Sequence, residues 1–274
     1  MRLLLIACFC MPLFVFAQEN YEIQVYGSPT MTKGQTMFEL HSNFTFNGNK
    51  DIVKGVLPSY HSLHETLEIT HGITDNFELG FYLFTNYTPQ HGWRIIGTHL
   101  RPRIAAPDSW KLPVGLSLSA EIGFQNKEYS PETFNMELRP IIDKTLGKLY
   151  LCLNPTMGFT FSGIDKPSAP AFAPNFKTTY AVSSKLSLGA EYYGDLGPLN
   201  QFEKLPEQSH ALFLVADLYL DPKWEINFGP GFGLTEATDG LVVKFILGRR
   251  IDWGHRKKTE GSVHETPPQT KAHP

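Results

Sequence analysis

The sequence has little charge, few cysteines and, after its first segment, no long hydrophobic run. Charged residues make up 19% of the 274 residues, below the roughly 25% that is usual for soluble domains. A membrane-spanning helix needs about 20 consecutive apolar residues, and no such run follows residue 17. The sequence therefore argues against a helical membrane protein. The net charge of −3 gives no electrostatic reason to expect a nucleic-acid partner.

The low cysteine count excludes a disulfide framework. Two of the three cysteines lie in the apolar stretch that follows Met1 and ends in Val15-Phe-Ala17. Such a stretch is typical of a secretory signal peptide. A lipoprotein box at Leu5-Ile-Ala-Cys8 is the alternative, but it leaves a very short apolar core. We expect cleavage after Ala17, which leaves Cys152 as a single thiol without a disulfide partner.

Alternation of apolar and polar residues dominates the chain from about Gln35 to Ile251, whereas no window shows a 3.6-residue stripe. In the clearest case, leucine, isoleucine and phenylalanine side chains between Val114 and Phe124 alternate with glycine, serine and Glu121. Each such segment predicts a strand with one apolar face. The twelve predicted strands are 35–46, 61–71, 77–86, 93–104, 113–124, 133–142, 149–161, 172–182, 186–193, 210–220, 224–234 and 241–251.

Almost all charges of these strands fall on the face opposite the apolar rows. That face is also rich in Gly, Ser, Thr and Asn, which is typical of a crowded, wet interior, whereas a soluble β-sandwich would turn its polar face to bulk water. The pattern predicts an all-β fold: one antiparallel transmembrane barrel of about twelve strands, with its apolar face toward lipid. The residues expected to line its lumen are Glu68, Glu78, Arg101, Arg103, Glu121, Glu137, Arg139, Lys177, Glu191, Asp217, Glu225, Lys244 and Arg250.

This interpretation divides the chain into four regions. They are a signal peptide (1–17), an N-terminal periplasmic arm (18–34), the outer-membrane barrel (35–251) and a flexible polar C-terminal tail (252–274). Prolines inside the predicted strands argue against the barrel because each removes an N–H from the ladder. They are expected at bulges or strand ends, and they are Pro102, Pro140, Pro155, Pro174 and Pro230.

The segment from His64 to Phe84, two strands joined by a Gly-Ile-Thr-Asp-Asn turn, resembles a hairpin of uncharacterised outer-membrane β-barrels of Gram-negative bacteria. That group is loosely related to the phenol-degradation-pathway outer-membrane proteins. Further matching stretches are His99–Arg103, Trp110–Glu121, Glu137–Ile142, Glu191–Gly194, Leu196–Pro198 and Lys223–Gly229. The resemblance covers roughly 35–251 and implies the fold and the bacterial outer membrane, but no substrate. The tail after Ile251 departs from the family, whose chains usually end on the last strand.

Catalytic and metal-binding patterns are weak. On a strand, His64 and Glu68 share a face but lie about 13 Å apart, so they cannot chelate one ion alone. His41 and Ser42 are adjacent, and adjacent strand residues point to opposite faces, so they cannot form a base–nucleophile pair. The sequence therefore predicts no catalytic residue, no metal ligand and no cofactor.

The inward charges leave two interpretations open. They could form ion pairs that fill the barrel, or they could line a narrow polar passage. We expect a porin-like narrow channel or transporter for small polar or amphipathic solutes. A closed barrel with a structural or adhesive role is the first alternative, and a lipid-acting outer-membrane hydrolase is the second. The expected partners are outer-membrane lipid and small solutes, without nucleic acid; the oligomeric state is left open.

Overall fold

The computed structural model describes residues 21–164, 166–167 and 169–253. The predicted signal peptide and nearly all of the predicted C-terminal tail lie outside the described residues. Within the described part of the chain, no helix is long and apolar enough to cross a membrane.

Twelve antiparallel strands form a closed barrel in which the last strand, β12, pairs with the first, β1. This confirms the predicted fold class. The only helical element among the described residues is a single 3₁₀ turn, Asp108–Trp110. The strands are β1 (Gln35–Asn47), β2 (Leu63–Thr74), β3 (Phe77–Thr88), β4 (Gly92–Ala105), β5 (Gly115–Gln125), β6 (Glu132–Leu146), β7 (Leu149–Gly163), β8 (Ala171–Ser183), β9 (Leu186–Asp195), β10 (Ser209–Leu218), β11 (Trp224–Gly233) and β12 (Leu241–Asp252).

The period-two pattern sets which face of each strand points outward. On β5, Leu118 is 42% exposed, while its neighbour Ser119 is 1% exposed and lies inside the barrel. The same alternation of exposed apolar and buried polar residues runs along β1 and β3. The apolar rows therefore form the outer surface, as an outer-membrane barrel requires, and no second sheet of the described residues covers them.

The two ends of the barrel differ. At one end the strands are joined by short turns, such as 75–76 between β2 and β3 and 184–185 between β8 and β9. At the other end lie the long connections 48–62 and 196–208. We call these the short-turn end and the long-loop end. Bacterial barrels place short turns in the periplasm and longer loops outside the cell.

The in-strand prolines do not lie at bulges or strand ends, so that expectation is wrong. Pro140 pairs with Leu118 on β5, while the pairing of β6 with β7 is interrupted between Leu138 and Ile142. Pro140 therefore interrupts the hydrogen bonds to only one of its two neighbouring strands. The pairing with the other strand is kept, because it does not use the N–H that proline lacks. The same one-sided interruption occurs at Pro102, Pro155 and Pro230. Pro174 pairs with Pro155 on β7 and lies just beyond Asn175, where the ladder of β8 with β9 ends.

The plugged lumen as candidate functional site

Residues 21–34, which we call the plug, lie inside the barrel. The Thr66 hydroxyl, in the half of β2 nearer the long-loop end, donates a hydrogen bond to the Tyr21 carbonyl at 2.7 Å. At the other end of the plug, the Lys33 N–H donates to Asp75 Oδ1 at 3.1 Å, in the turn between β2 and β3. The segment therefore runs from the long-loop half of the lumen to the short-turn end. The sequence assigns these residues to the periplasmic arm and leaves open whether that arm plugs the barrel; its described part, 21–34, lies in the lumen and ends at the short-turn end.

One side of the plug is apolar and packs on apolar residues of the barrel interior. Tyr21, Ile23 and Val25 are 3–5% exposed. Ile23, Val25 and Tyr26 belong to a buried cluster with inward side chains of five strands. The wall residues of this cluster are Ile141, Tyr150, Cys152, Tyr193, Phe213, Val215 and Val242.

Polar side chains of the wall bind the plug backbone. Two guanidinium nitrogens of Arg103 donate to the carbonyls of Gly27 and Pro29, each at 2.9 Å. Asp143 accepts hydrogen bonds from the backbone N–H and from the side-chain hydroxyl of Ser28, both at 2.8 Å. Since a buried backbone group without a partner is costly, these contacts stabilise one position of the plug.

All thirteen predicted lumen residues occupy inward-facing strand positions, and ten of them are buried. The first group of ion pairs lies on β2, β3 and β4. Arg101 bonds Glu68 at 2.5 Å and Glu78 at 3.0 Å, and Arg103 bonds Glu78 at 2.7 Å. The plug joins this group, because the Met31 N–H donates to Glu78 at 2.6 Å.

The second group lies on β5 and β6. Arg139 pairs with Glu137 at 2.6 Å and lies 3.9 Å from Glu121. Arg139 also reaches Glu22 of the plug at 3.4 Å. His99 on β4 completes the group, with its Nδ1 2.7 Å from Glu121.

The third group joins β8, β9, β10 and β12. Lys177 lies between Glu191, at 3.1 Å, and Asp217, at 2.9 Å. Lys244 pairs with Glu191 from the other side and donates to the Ile23 carbonyl of the plug at 3.0 Å. Every group of ion pairs therefore contacts the plug as well as the wall.

The two remaining predicted residues lie near the short-turn end. Glu225 accepts a hydrogen bond from the side chain of Gln24 at 3.3 Å, and Arg250 donates to the Pro222 carbonyl at 2.7 Å. Both line a cavity of about 50 Å³ between the plug and the wall. That volume has room for only a few water molecules.

The burial of these charges shows that the lumen is closed at their level. Arg101 is 1% exposed and Lys244 is 0% exposed, although both point toward the barrel axis. In an open, water-filled pore such side chains would be wetted. Within the described residues, the plug and the ion pairs together fill this part of the interior.

The sequence contained a signal for the plug that the period-two interpretation did not use. Tyr21, Ile23 and Val25 alternate with polar residues, and inward positions such as Phe213 and Val215 are apolar. Apolar side chains on the inner wall of a barrel need an apolar partner, because exposing them to lumen water is unfavourable.

The structure does not bring His41 and Ser42 together. His41 is buried inside the barrel, whereas Ser42 lies on the outer face and donates to Glu65 at 2.5 Å. His64 is also inside, where its Nδ1 lies 3.2 Å from the Asn86 amide and its ring meets Tyr21 edge to face. None of these histidines forms a serine–histidine pair among the described residues.

Comparison with known proteins gives a fold and no sequence family. No family model and no curated protein matches the chain. A solved outer-membrane channel from Pseudomonas putida F1 is similar in structure, with a TM-score of 0.60 and 13% sequence identity, over 84% of this chain and 100% of that one. The KdgM porin, solved in complex with disordered oligogalacturonate, has a TM-score of 0.50 and 10% identity, over 80% of this chain and 99% of that one. The chain therefore has the fold of outer-membrane channel barrels.

Proposed function

We propose that the protein is an outer-membrane channel for small polar or amphipathic solutes, and that residues 21–34 close it in the conformation described here. One observation carries the proposal: the plug occupies the lumen without being part of the wall. From Tyr21 to Lys33 it has no strand conformation, and side chains of the wall make its contacts in the lumen. The twelve-stranded ladder closes without it, so the plug can leave while the barrel stays intact.

The inward residues support the solute class. The thirteen predicted lumen residues comprise seven acidic and six basic side chains, so their charges nearly cancel and favour neither ion sign strongly. Apolar side chains such as Phe213 and Val242 share the same inner wall. A lumen with both characters suits solutes that carry a polar group on an apolar body.

The finer resemblance to phenol-degradation-pathway proteins is a proposal as well. No family model supports that name. The resemblance makes a small aromatic acid the first amphipathic solute to test, beside a neutral saccharide of similar size.

We also propose that outer-membrane lipid is the partner of the outer surface and that the barrel is not an enzyme. The outward apolar rows support the first statement. The separation of His41 from Ser42 to opposite faces supports the second, because a nucleophile needs its base within hydrogen-bond reach. A purely structural or adhesive barrel has less support, since a barrel that never conducts would not need a separate segment to close its lumen.

Conductance in planar bilayers tests the proposal. The chain from Gln18 is compared with a variant that lacks residues 21–32, and a variant that lacks 254–274 controls for the effect of shortening. We expect long closed periods for the full chain and for the control, and a persistent conductance for the variant without the plug. Liposome swelling with the two solutes then tests passage. A plug-deleted barrel that folds, shown by heat-modifiable migration, but neither conducts nor swells liposomes would support the closed structural barrel instead.

A further inference from the structure

Three potential metal ligands meet inside the barrel on its first two strands. Glu39 and His41 are two residues apart on β1 and share its inner face, and Glu68 lies directly opposite Glu39 on β2. One ligand atom from each residue lies within 4.8 Å of the other two. Neighbouring antiparallel strands bring opposed side chains this close, whereas residues four apart on one strand, such as His64 and Glu68, lie too far from each other.

His41 is the first unusual member. Its side chain is 0% exposed, yet neither ring nitrogen has a hydrogen-bond partner among the described residues. Its Nε2 lies 3.3 Å from Glu68 Oε2 without hydrogen-bond geometry. Two ligands of a tetrahedral zinc ion, each about 2.0–2.1 Å from the metal, are separated by about 3.3–3.4 Å. The spacing of these two atoms therefore suits a shared metal ion.

Glu39 is the second unusual member. It is 6% exposed, and its Oε1 has no hydrogen-bond partner within the described part of the chain. A buried carboxylate without a partner is costly unless a cation or several donors satisfy it. A metal ion between Glu39 and His41 would satisfy both side chains.

Glu68 is held in a position that leaves one oxygen facing His41. Arg101 and the Thr70 hydroxyl bind its Oε1, at 2.5 and 2.6 Å. The Tyr26 hydroxyl of the plug donates to Oε2 from 3.2 Å. Hydrogen bonds of this kind to a ligating carboxylate orient it toward a metal, so Glu68 is arranged for ligation through a single oxygen.

The surrounding charges also favour a cation. Glu39, Glu68 and Glu78 are buried together with Arg101 and Arg103. When all are ionised, three negative charges face two positive ones. The nearby Glu225 adds a further carboxylate to the same cavity, and Arg250 offsets it. A buried excess of negative charge stabilises a bound cation.

We propose that Glu39, His41 and Glu68 bind one divalent transition-metal ion of the zinc class inside the barrel. An imidazole ligand favours zinc and related ions over calcium and magnesium, which prefer all-oxygen sites. Glu39, alone among the three, also lines the 50 Å³ cavity, which has room for a water molecule as a further ligand on that side. The site does not depend on conduction, so it goes beyond the proposed channel function.

Zinc binding to the full-length mature chain tests the site. The untagged protein is refolded in chelator-treated detergent with or without Zn²⁺, so that access to the buried site is not limiting, and bound zinc is measured by competition with a chromophoric chelator. We expect one Zn²⁺ per chain, and binding weakened about 100-fold or more by His41→Gln or Glu39→Gln. His64→Gln, which changes another buried inward histidine, should bind Zn²⁺ as tightly as the unsubstituted protein.

X-ray absorption at the zinc edge gives a second readout, with one nitrogen and two carboxylate oxygens expected among the ligands. Heat-modifiable migration shows that each variant folds, and Glu39→Gln alone decides the matter if His41→Gln does not fold. Absence of stoichiometric zinc, or binding that is unchanged in Glu39→Gln or His41→Gln, would overturn the proposal. Neither result would affect the conductance test of the plug.

Discussion

The side-chain amide of Asn154 on β7 bonds both backbone groups of Tyr26 in the plug. The Tyr26 N–H donates to Asn154 Oδ1 at 2.8 Å, and Asn154 Nδ2 donates to the Tyr26 carbonyl at 3.0 Å. The amide thus takes the place that a neighbouring strand would have in a β-ladder. Because a side chain makes this contact, the plug can be released without breaking the wall.

The first prediction concerns this amide. Asn154→Ala removes the partner of the buried Tyr26 N–H and one of the two donors to the Tyr26 carbonyl, which the Cys152 thiol also reaches; the unpaired N–H costs about 1–3 kcal/mol. We expect that loss to destabilise the plugged state and to raise the open-to-closed ratio by roughly 5- to 150-fold. Single-channel recordings of the full chain in planar bilayers measure this ratio.

Asn135→Ala is the matched control. Asn135 also points inward, from β6, but its Oδ1 has no hydrogen-bond partner among the described residues. Its variant should keep the parent's open-to-closed ratio. Equal gating in all three proteins would mean that Asn154 does not hold the plug in the closed state.

The second prediction concerns ion selectivity. With seven acidic and six basic residues facing inward, mostly paired with each other, the barrel without residues 21–32 should discriminate weakly between small cations and anions. The reversal potential in a potassium chloride gradient measures this preference. Lys177→Met removes the cation between Glu191 and Asp217 and should shift the reversal potential toward cation preference. Strong selectivity of the unsubstituted barrel, or a shift in the opposite direction, would contradict the assigned lining.

The third prediction tests which face meets lipid. Met157 and Gly158 are neighbours on β7, with Met157 on the outer face and Gly158 on the inner one. An arginine at the membrane midplane on the lipid face costs about 2–4 kcal/mol, so Met157→Arg should lower the free energy of unfolding by that amount. Gly158→Arg should cost less, because a side chain there has room and faces Glu137 on β6.

Chemical unfolding in detergent or lipid, followed by tryptophan fluorescence, compares the two variants at the same height in the wall. Similar losses of stability for Met157→Arg and Gly158→Arg would show that the two faces of β7 do not differ as assigned. A larger loss for Gly158→Arg would reverse the assignment.

The wall of the barrel was predictable because one physical rule decides it. A strand with lipid on one side and a polar interior on the other must alternate, and the alternation around Leu118 and Ser119 is local in the sequence. The same rule placed Glu68 and Lys244 on the inner face. The rule could not tell which inward charges pair with each other. Pairing depends on the arrangement of strands far apart in the chain, as for Lys244 on β12 and Glu191 on β9.

The plug was not predictable by that rule. Residues 21–33 have no strand conformation, and only Gly34 bonds its neighbours through its backbone, so the plug needs neither the length nor the regularity of a strand. Their place follows from long-range complementarity: Ile23 and Val25 pack on apolar residues of the inner wall, while Arg103 and Asn154 bind the backbone of the plug. The metal-ligand group was hidden for a related reason, since Glu39 and Glu68 meet only across two strands.

The reactivity of Cys152 tests the closure of the lumen most directly. In the chain from Gln18 it is the only cysteine, and it lies on the inner face of β7, 1% exposed, with its thiol donating to the Tyr26 carbonyl at 3.0 Å. A membrane-impermeant maleimide can modify it only when the plug moves away. The labelling rate therefore follows the population of the open state.

We expect slow labelling of the full chain, faster labelling of Asn154→Ala, and fast labelling of the variant without residues 21–32. The account predicts that these rates rise in the same order as the open fractions in bilayers. Rapid labelling of the full chain, at the rate of the plug-deleted variant, would contradict it.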